Sequence, residues 1–89
     1  MIAVWTKIDE ESAVEGLREA GNKLESADGE VTLDFSSVRR IDASVVRAME
    51  ELADRAKEKE VKVALRGVNV DVYKVLKLVK LASRFTFTV

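Results

Sequence analysis

The sequence predicts an α/β fold, because segments with strand periodicity alternate with segments of helical periodicity along the chain. Residues 31–35 are short, β-branched and apolar, as in a central strand, whereas residues 43–58 carry an apolar stripe opposite a charged face. The order β-α-β-α-β-α-β favours a mixed, mostly parallel sheet with helices packed on it. A length of 89 residues predicts one domain over residues 1–89.

The first strand and first helix are predicted from residue spacing. Alternate residues form one face of the strand: Ile2, Val4, Thr6 and Ile8. Trp5, on the other face, is interpreted as a packing residue of the sheet rather than a binding anchor. Ser12 and Glu15 have the spacing of a capping box, which predicts a helix start. The apolar stripe that follows is Ala13, Leu17, Ala20 and Leu24. Residues 27–29 predict a turn.

The second half of the chain repeats this alternation. Residues 61–65 predict a strand, Asn69 is placed to cap a third helix, and residues 85–89 predict an edge strand. The inward stripe of the second helix is Val45, Met49, Leu52 and Ala56. The inward residues of the third helix are Val72, Val75, Leu76 and Val79. The predicted core residues are Met49, Leu52, Val63, Leu65, Leu76 and Val79.

The composition argues against catalysis. The chain has no cysteine and no histidine, which removes thiol nucleophiles, the commonest general base and the usual zinc ligands. We therefore expect no enzyme, no metal site and no cofactor. A small enzyme or a phosphotransfer carrier is the least favoured class of function, since such carriers typically use one of these two residues.

Charge and hydropathy limit the partners. The net charge of −1 gives no strong field for nucleic acid, and apolar stretches fall far short of the ~20 residues that span a membrane. With no signal-peptide pattern at the N-terminus, a cytoplasmic protein is expected. A basic cluster lies near the C-terminus: Lys74, Lys77, Lys80 and Arg84. It is interpreted as a solvated helix face, with an acidic partner or anionic lipid as the alternative.

One segment carries a motif. The central strand ends in Leu33-Asp34-Phe35-Ser36, and the second helix is preceded and opened by Ile41-Asp42-Ala43-Ser44. This pattern resembles the signature of the STAS domain of bacterial anti-sigma factor antagonists, in which Leu-Asp-Leu-Ser is followed by Ile-Asp-Ser-Ser-Gly-Leu. The resemblance extends to Ile8-Asp9 and to residues 72–78. The family usually opens with one more strand, and its glycine is Val45 here.

The resemblance implies a regulatory domain that binds a kinase-like anti-sigma factor or a scaffold through the start of the second helix. It makes Ser44 the candidate phosphorylation site, with phosphorylation releasing the partner. The expected partner-binding residues are Asp42, Ala43, Ser44, Val45 and Arg47. Val45 is expected at the helix tip, where it would hinder phosphorylation or reshape the docking surface. The alternative is the STAS subunit of a lipid-trafficking ABC transporter, which would grip the ATPase without phosphorylation.

Ordinary structural roles compete with these interpretations. Ser44 falls in the first turn of a helix, where free N–H groups favour an anion, but serine is also common there for structural reasons. Asp42 has the position of a helix N-cap. Asp9 and Asp34 are expected as supporting carboxylates near Ser44. Their negative charge would repel a phosphate on Ser44. Alternatively, Asp34 binds a loop N–H and Asp9 helps to start the first helix.

Overall fold

The structure is a computed structural model that describes residues 4–24 and 29–88. Its elements in chain order are β1 (Val4–Lys7), α1 (Ala13–Asn22), β2 (Glu30–Asp34), α2 (Ala43–Lys59), β3 (Lys62–Arg66), α3 (Val70–Leu78) and β4 (Thr86–Thr88). Short 3-10 turns, Glu10–Ser12 and Ala82–Arg84, precede α1 and β4. The predicted order of elements is therefore confirmed. Ile2, Val89 and most of the predicted turn at residues 27–29 lie outside the described residues.

The sheet has the strand order β1-β2-β3-β4, and each described pair of neighbours is parallel. The α/β class is confirmed, and the sheet of the described residues is wholly parallel, where the sequence predicted a mostly parallel one. Each strand is joined to its neighbour through a helix. Since such crossovers are right-handed and all run in the same direction across the sheet, the three helices lie on one face.

The core lies between that face and the helices. In β2 and just after it, Val31, Leu33 and Phe35 are completely buried, whereas Glu30 is exposed. The side chains of Leu17, Met49 and Leu76 bring all three helices into the same cluster. Five of the six predicted core residues are buried, namely Met49, Leu52, Val63, Leu65 and Leu76. The inward faces of α2 and β3 were thus predicted correctly.

The sixth residue, Val79, was predicted wrongly. Its side chain is 41% exposed, because α3 ends at Leu78 and the helical period stops there. Lys80 adopts a left-handed conformation with φ of 64°, and the backbone N–H of Leu81 donates to the carbonyl of Leu76 at 2.8 Å. This turn brings Leu81, which is only 3% exposed, into the core.

Among the residues that the structure describes, no helix covers the other face of the sheet. Trp5 lies on it with 54% of its surface exposed, and the guanidinium of Arg66 lies 5.3 Å from the centre of its ring. Trp5 therefore packs on the surface of the sheet, by a cation–π contact, and contributes nothing to the core.

Two of the three predicted helix caps form. Asp42 Oδ1 accepts a hydrogen bond from Val45 N–H at 3.0 Å, and Asn69 Oδ1 accepts one from Val72 N–H at 2.7 Å. The capping box of Ser12 and Glu15 was predicted wrongly, since the Ser12 side chain makes no capping hydrogen bond. The chain enters α1 through the 3-10 turn instead, and Ser12 N–H donates to the carbonyl of Asp9 at 3.1 Å.

Candidate functional site

The three loops that follow β1, β2 and β3 meet at the carboxyl edge of the sheet, where parallel α/β proteins usually bind their ligands. Two backbone hydrogen bonds continue the sheet beyond the strands. Ile8 N–H donates to the carbonyl of Asp34 at 2.9 Å, and Phe35 N–H donates to that of Arg66 at 2.8 Å. The loop of residues 35–42, which leads to α2, is therefore held between the other two.

Glu10 fixes this central loop from one side. Its Oε1 accepts hydrogen bonds from Arg39 N–H at 2.7 Å and from Arg40 N–H at 2.9 Å. These bonds, chiefly that from Arg40, lower the pKa of the Glu10 carboxyl below its ordinary value of 4.5. The interpretation of the sequence missed this contact, because nothing in the acidic run around Glu10 shows which carboxylate faces a loop 29 residues later.

Asn69 fixes the loop from the other side. Its Nδ2 donates to the carbonyl of Arg39 at 3.1 Å and to that of Val38 at 3.4 Å, while its Oδ1 caps α3. Gly67 has a φ of +71°, and an added Cβ would come within 3.0 Å of the Ser36 side chain. The start of the loop at Ser36 therefore depends on a glycine at position 67.

Asp34 binds a loop N–H, which is the structural role that the sequence suggested as the alternative to a supporting carboxylate. Its Oδ1 accepts a hydrogen bond from Ser36 N–H at 2.9 Å. The Ser36 side chain and then its backbone lower the pKa of Asp34, and the charges of Arg66 and Lys7 add to the effect. The register pairs Asp34 with Lys7 and Arg66 on neighbouring strands, so its carboxylate points to the open face of the sheet.

The tip of α2 presents four of the five predicted partner-binding residues to solvent: Asp42, Ala43, Ser44 and Arg47. Val45 is the exception, since it is only 6% exposed and belongs to the core cluster. The expectation that Val45 blocks or shapes the tip is corrected, because this residue lies one turn before Met49 on the buried stripe of α2. The hydroxyl of Ser44 is not covered by it.

Ser44 lies in a groove between α1 and α2 with a volume of about 270 Å³. The lining residues are Val14, Arg18, Ser44, Arg47, Ala48 and Glu51. Asp9 lies elsewhere at this edge, in a depression lined by residues 9–12 and Ser37. Neither Asp9 nor Asp34 is among the residues that line the groove of Ser44. The charged side chains that line the groove are Arg18, Arg47 and Glu51.

The basic cluster is divided between two environments. Arg84 donates to Asp54 Oδ1 at 2.8 Å, which ties it to the outer face of α2. Lys74, Lys77 and Lys80 are exposed along α3 and at its end, as a solvated face requires.

Within residues 4–24 and 29–88, no group of three or more acidic side chains is placed to hold a metal ion. No helix of this part of the chain is long and apolar enough to cross a membrane.

Comparison with known proteins identifies the family. A family model for the STAS domain matches residues 3–88. The chain belongs to the STAS domain family. No curated protein sequence matches it. The STAS fold of the chain is similar to that of protein TM1081 from Thermotoga maritima, whose crystal structure is described as that of a proposed anti-sigma factor antagonist.

With the TM1081 crystal structure the TM-score is 0.75 at 20% identity, covering 96% of this chain and 77% of that one. The NMR structure of TM1081 gives a TM-score of 0.77 at 19% identity, with 97% of this chain and 73% of that one covered. At this identity the likeness shows the STAS fold.

Proposed function

We propose that this STAS domain is a non-enzymatic regulator that binds a protein partner through the tip of α2, and that phosphorylation of Ser44 releases the partner. The proposed partner is a kinase-like anti-sigma factor or a scaffold. The docking surface consists of Asp42, Ala43, Ser44 and Arg47. The membership of the STAS family and the fold shared with TM1081 support this class of function.

The tip of α2 is exposed, and the loop that leads to it is held in one position; this combination supports the proposal most directly. Four side chains at the tip of α2, one of them from the N-cap residue, face solvent, while Glu10 and Asn69 hold the preceding loop through four hydrogen bonds to its backbone. A surface that is ordered before binding loses less conformational entropy on binding. The loop therefore favours a docking role over a flexible connection.

The proposed switch is a phosphoryl transfer from a nucleoside triphosphate bound by the kinase. The Ser44 Oγ–phosphorus bond forms, the bond between the β-bridging oxygen and the γ-phosphorus breaks, and the hydroxyl proton passes to a base of the kinase. Phosphoserine adds about −1.5 to −2 charges at neutral pH. A partner that covers the tip must then bury or displace that charge, which costs affinity.

Site-specific cross-linking in the native host tests the docking surface. A photoreactive amino acid replaces Ala43 or Arg47 at the tip, and Glu58 at the other end of α2 serves as the control. We expect a covalent adduct with one protein from positions 43 and 47 and none from position 58. Equal cross-linking from all three positions contradicts the proposed surface.

The alternative, an ABC-transporter subunit that grips an ATPase through the same tip, predicts the same cross-links. The two functions separate when the captured partner and ATP are mixed with the domain. An anti-sigma kinase phosphorylates wild type and leaves Ser44→Ala unmodified, whereas a transporter ATPase modifies neither. Mass spectrometry of residue 44 distinguishes them.

A further inference from the structure

In the groove between α1 and α2, Ser44 shares the lining with an arginine from a distant part of the sequence. Arg18 comes from α1, and Arg47 lies three residues after Ser44 on the same side of α2. Neither arginine makes an ion pair or a side-chain hydrogen bond with another residue in the part of the chain that the structure describes. Two free guanidinium groups and a serine hydroxyl therefore share one groove.

Two carboxylates lie on or near this groove. Glu51 lines it one turn beyond Arg47, further from Ser44. Asp42 precedes α2, and its Oδ1 is already engaged by Val45 N–H. The lining of the groove thus combines Ser44 with two guanidinium groups and one carboxylate, and neither Asp9 nor Asp34 belongs to it.

We infer that phosphorylated Ser44 is held in this groove by Arg18 and Arg47, so that the phosphate links α1 to α2. This inference rests on the proposed phosphorylation and adds how the modified state is stabilised. A planar guanidinium matches two phosphate oxygens, and such charge-assisted hydrogen bonds are among the strongest in proteins. The modification therefore stabilises the domain instead of destabilising it by repulsion from carboxylates.

Thermal melts of the phosphoserine protein test the inference. Phosphoserine is incorporated at position 44 by codon suppression, in wild type and in Arg18→Gln. Arg39→Gln is the matched control, since Arg39 is exposed near the tip but lines a different groove. We expect phosphoserine to raise the melting temperature by roughly 4–8 °C in wild type and in the control, as one strong interaction does in a domain of this size. The increase should disappear in Arg18→Gln.

Two results would overturn the inference: an unchanged or lower melting temperature with phosphoserine, or an equal increase in Arg18→Gln and Arg39→Gln. NMR of the arginine side chains provides the second readout, with Arg18 Nε–H shifting only in the phosphorylated protein. Failure here is distinguishable from failure of the proposed function. If phosphoserine releases the partner without involving Arg18, the switch stands and the arginine link is wrong.

Discussion

Glu10 and Arg39 lie 29 residues apart in the chain, and Glu10 Oε1 accepts a hydrogen bond of 2.7 Å from Arg39 N–H. Because the same carboxylate also binds Arg40 N–H, the substitution Glu10→Gln should weaken both bonds. Hydrogen exchange measured by NMR should show faster exchange at the Arg39 and Arg40 amides. Glu11→Gln, at the exposed neighbouring position, is the control. Unchanged exchange in Glu10→Gln would remove Glu10 as the residue that fixes the loop.

The same contact predicts the acid response of the domain. The pKa of Glu10 is lower in the folded state than its ordinary value of 4.5, as that of Asp34 is relative to 3.8. The folded state therefore binds fewer protons, and stability that is fully present above the ordinary values is lost as pH falls through the folded values. Urea unfolding from pH 6 downwards should show this loss in wild type and a smaller one in Glu10→Gln.

Asn69 has two functions that substitution separates. Asn69→Asp keeps an oxygen for Val72 N–H but loses the donor to the carbonyls of Val38 and Arg39, whereas Asn69→Ala loses both. Asn69→Ala should lower the free energy of unfolding by about 1 kcal/mol or more through the cap alone. Chemical-shift changes in the loop of residues 35–42 should occur in both variants. A loop unaffected by Asn69→Asp would mean that the donor bonds are unimportant.

Val45→Gly tests the burial of Val45. Loss of a buried valine side chain costs ~1.5–3 kcal/mol, and glycine in a helix costs up to ~1 kcal/mol more. Denaturant unfolding should show a decrease of that combined order, while the affinity of the folded protein for its partner stays unchanged. Wild-type stability together with reduced affinity would place Val45 in the interface after all.

Leu76 and Leu78 form a matched pair on α3, since Leu76 is completely buried and Leu78 is 81% exposed. Leu76→Ala should lower the free energy of unfolding by ~2–5 kcal/mol, and Leu78→Ala should change it by less than ~0.5 kcal/mol. Leu52→Ala should behave like Leu76→Ala. Similar losses at positions 76 and 78 would show that the inward face of α3 is misassigned.

The sequence was sufficient for those features that depend on local pattern. The alternation of strands and helices, the caps at Asp42 and Asn69 and the buried stripe of α2 all follow from spacing within one element. That stripe already included Val45, so its burial was predictable, although the family comparison suggested an exposed tip. Patterns that cross an element boundary were less reliable, as with Val79 and the Ser12–Glu15 box.

The site itself depends on contacts between elements, which spacing does not reveal. The bonds from Glu10 and Asn69 to the loop each join residues about 30 positions apart. The approach of Arg18 to the groove of Ser44 likewise requires the packing of α1 against α2. Spacing along the sequence likewise did not show that Asp9 and Asp34 are absent from the lining of the Ser44 groove.

The central claim is that a partner docks on the tip of α2 and that charge at Ser44 releases it. Calorimetric titration of the domain with the purified partner, once cross-linking has identified it, tests this claim most directly. The titrated proteins are wild type, Ser44→Ala, Ser44→Asp and the control Ser83→Asp, whose serine is exposed outside the tip. We predict that Ser44→Asp weakens binding at least about 30-fold, or ~2 kcal/mol, because a partner that docks on the tip must remove water from the added charge. Ser44→Ala and Ser83→Asp should bind like wild type. Equal affinity of wild type and Ser44→Asp, with both proteins folded, would contradict the claim.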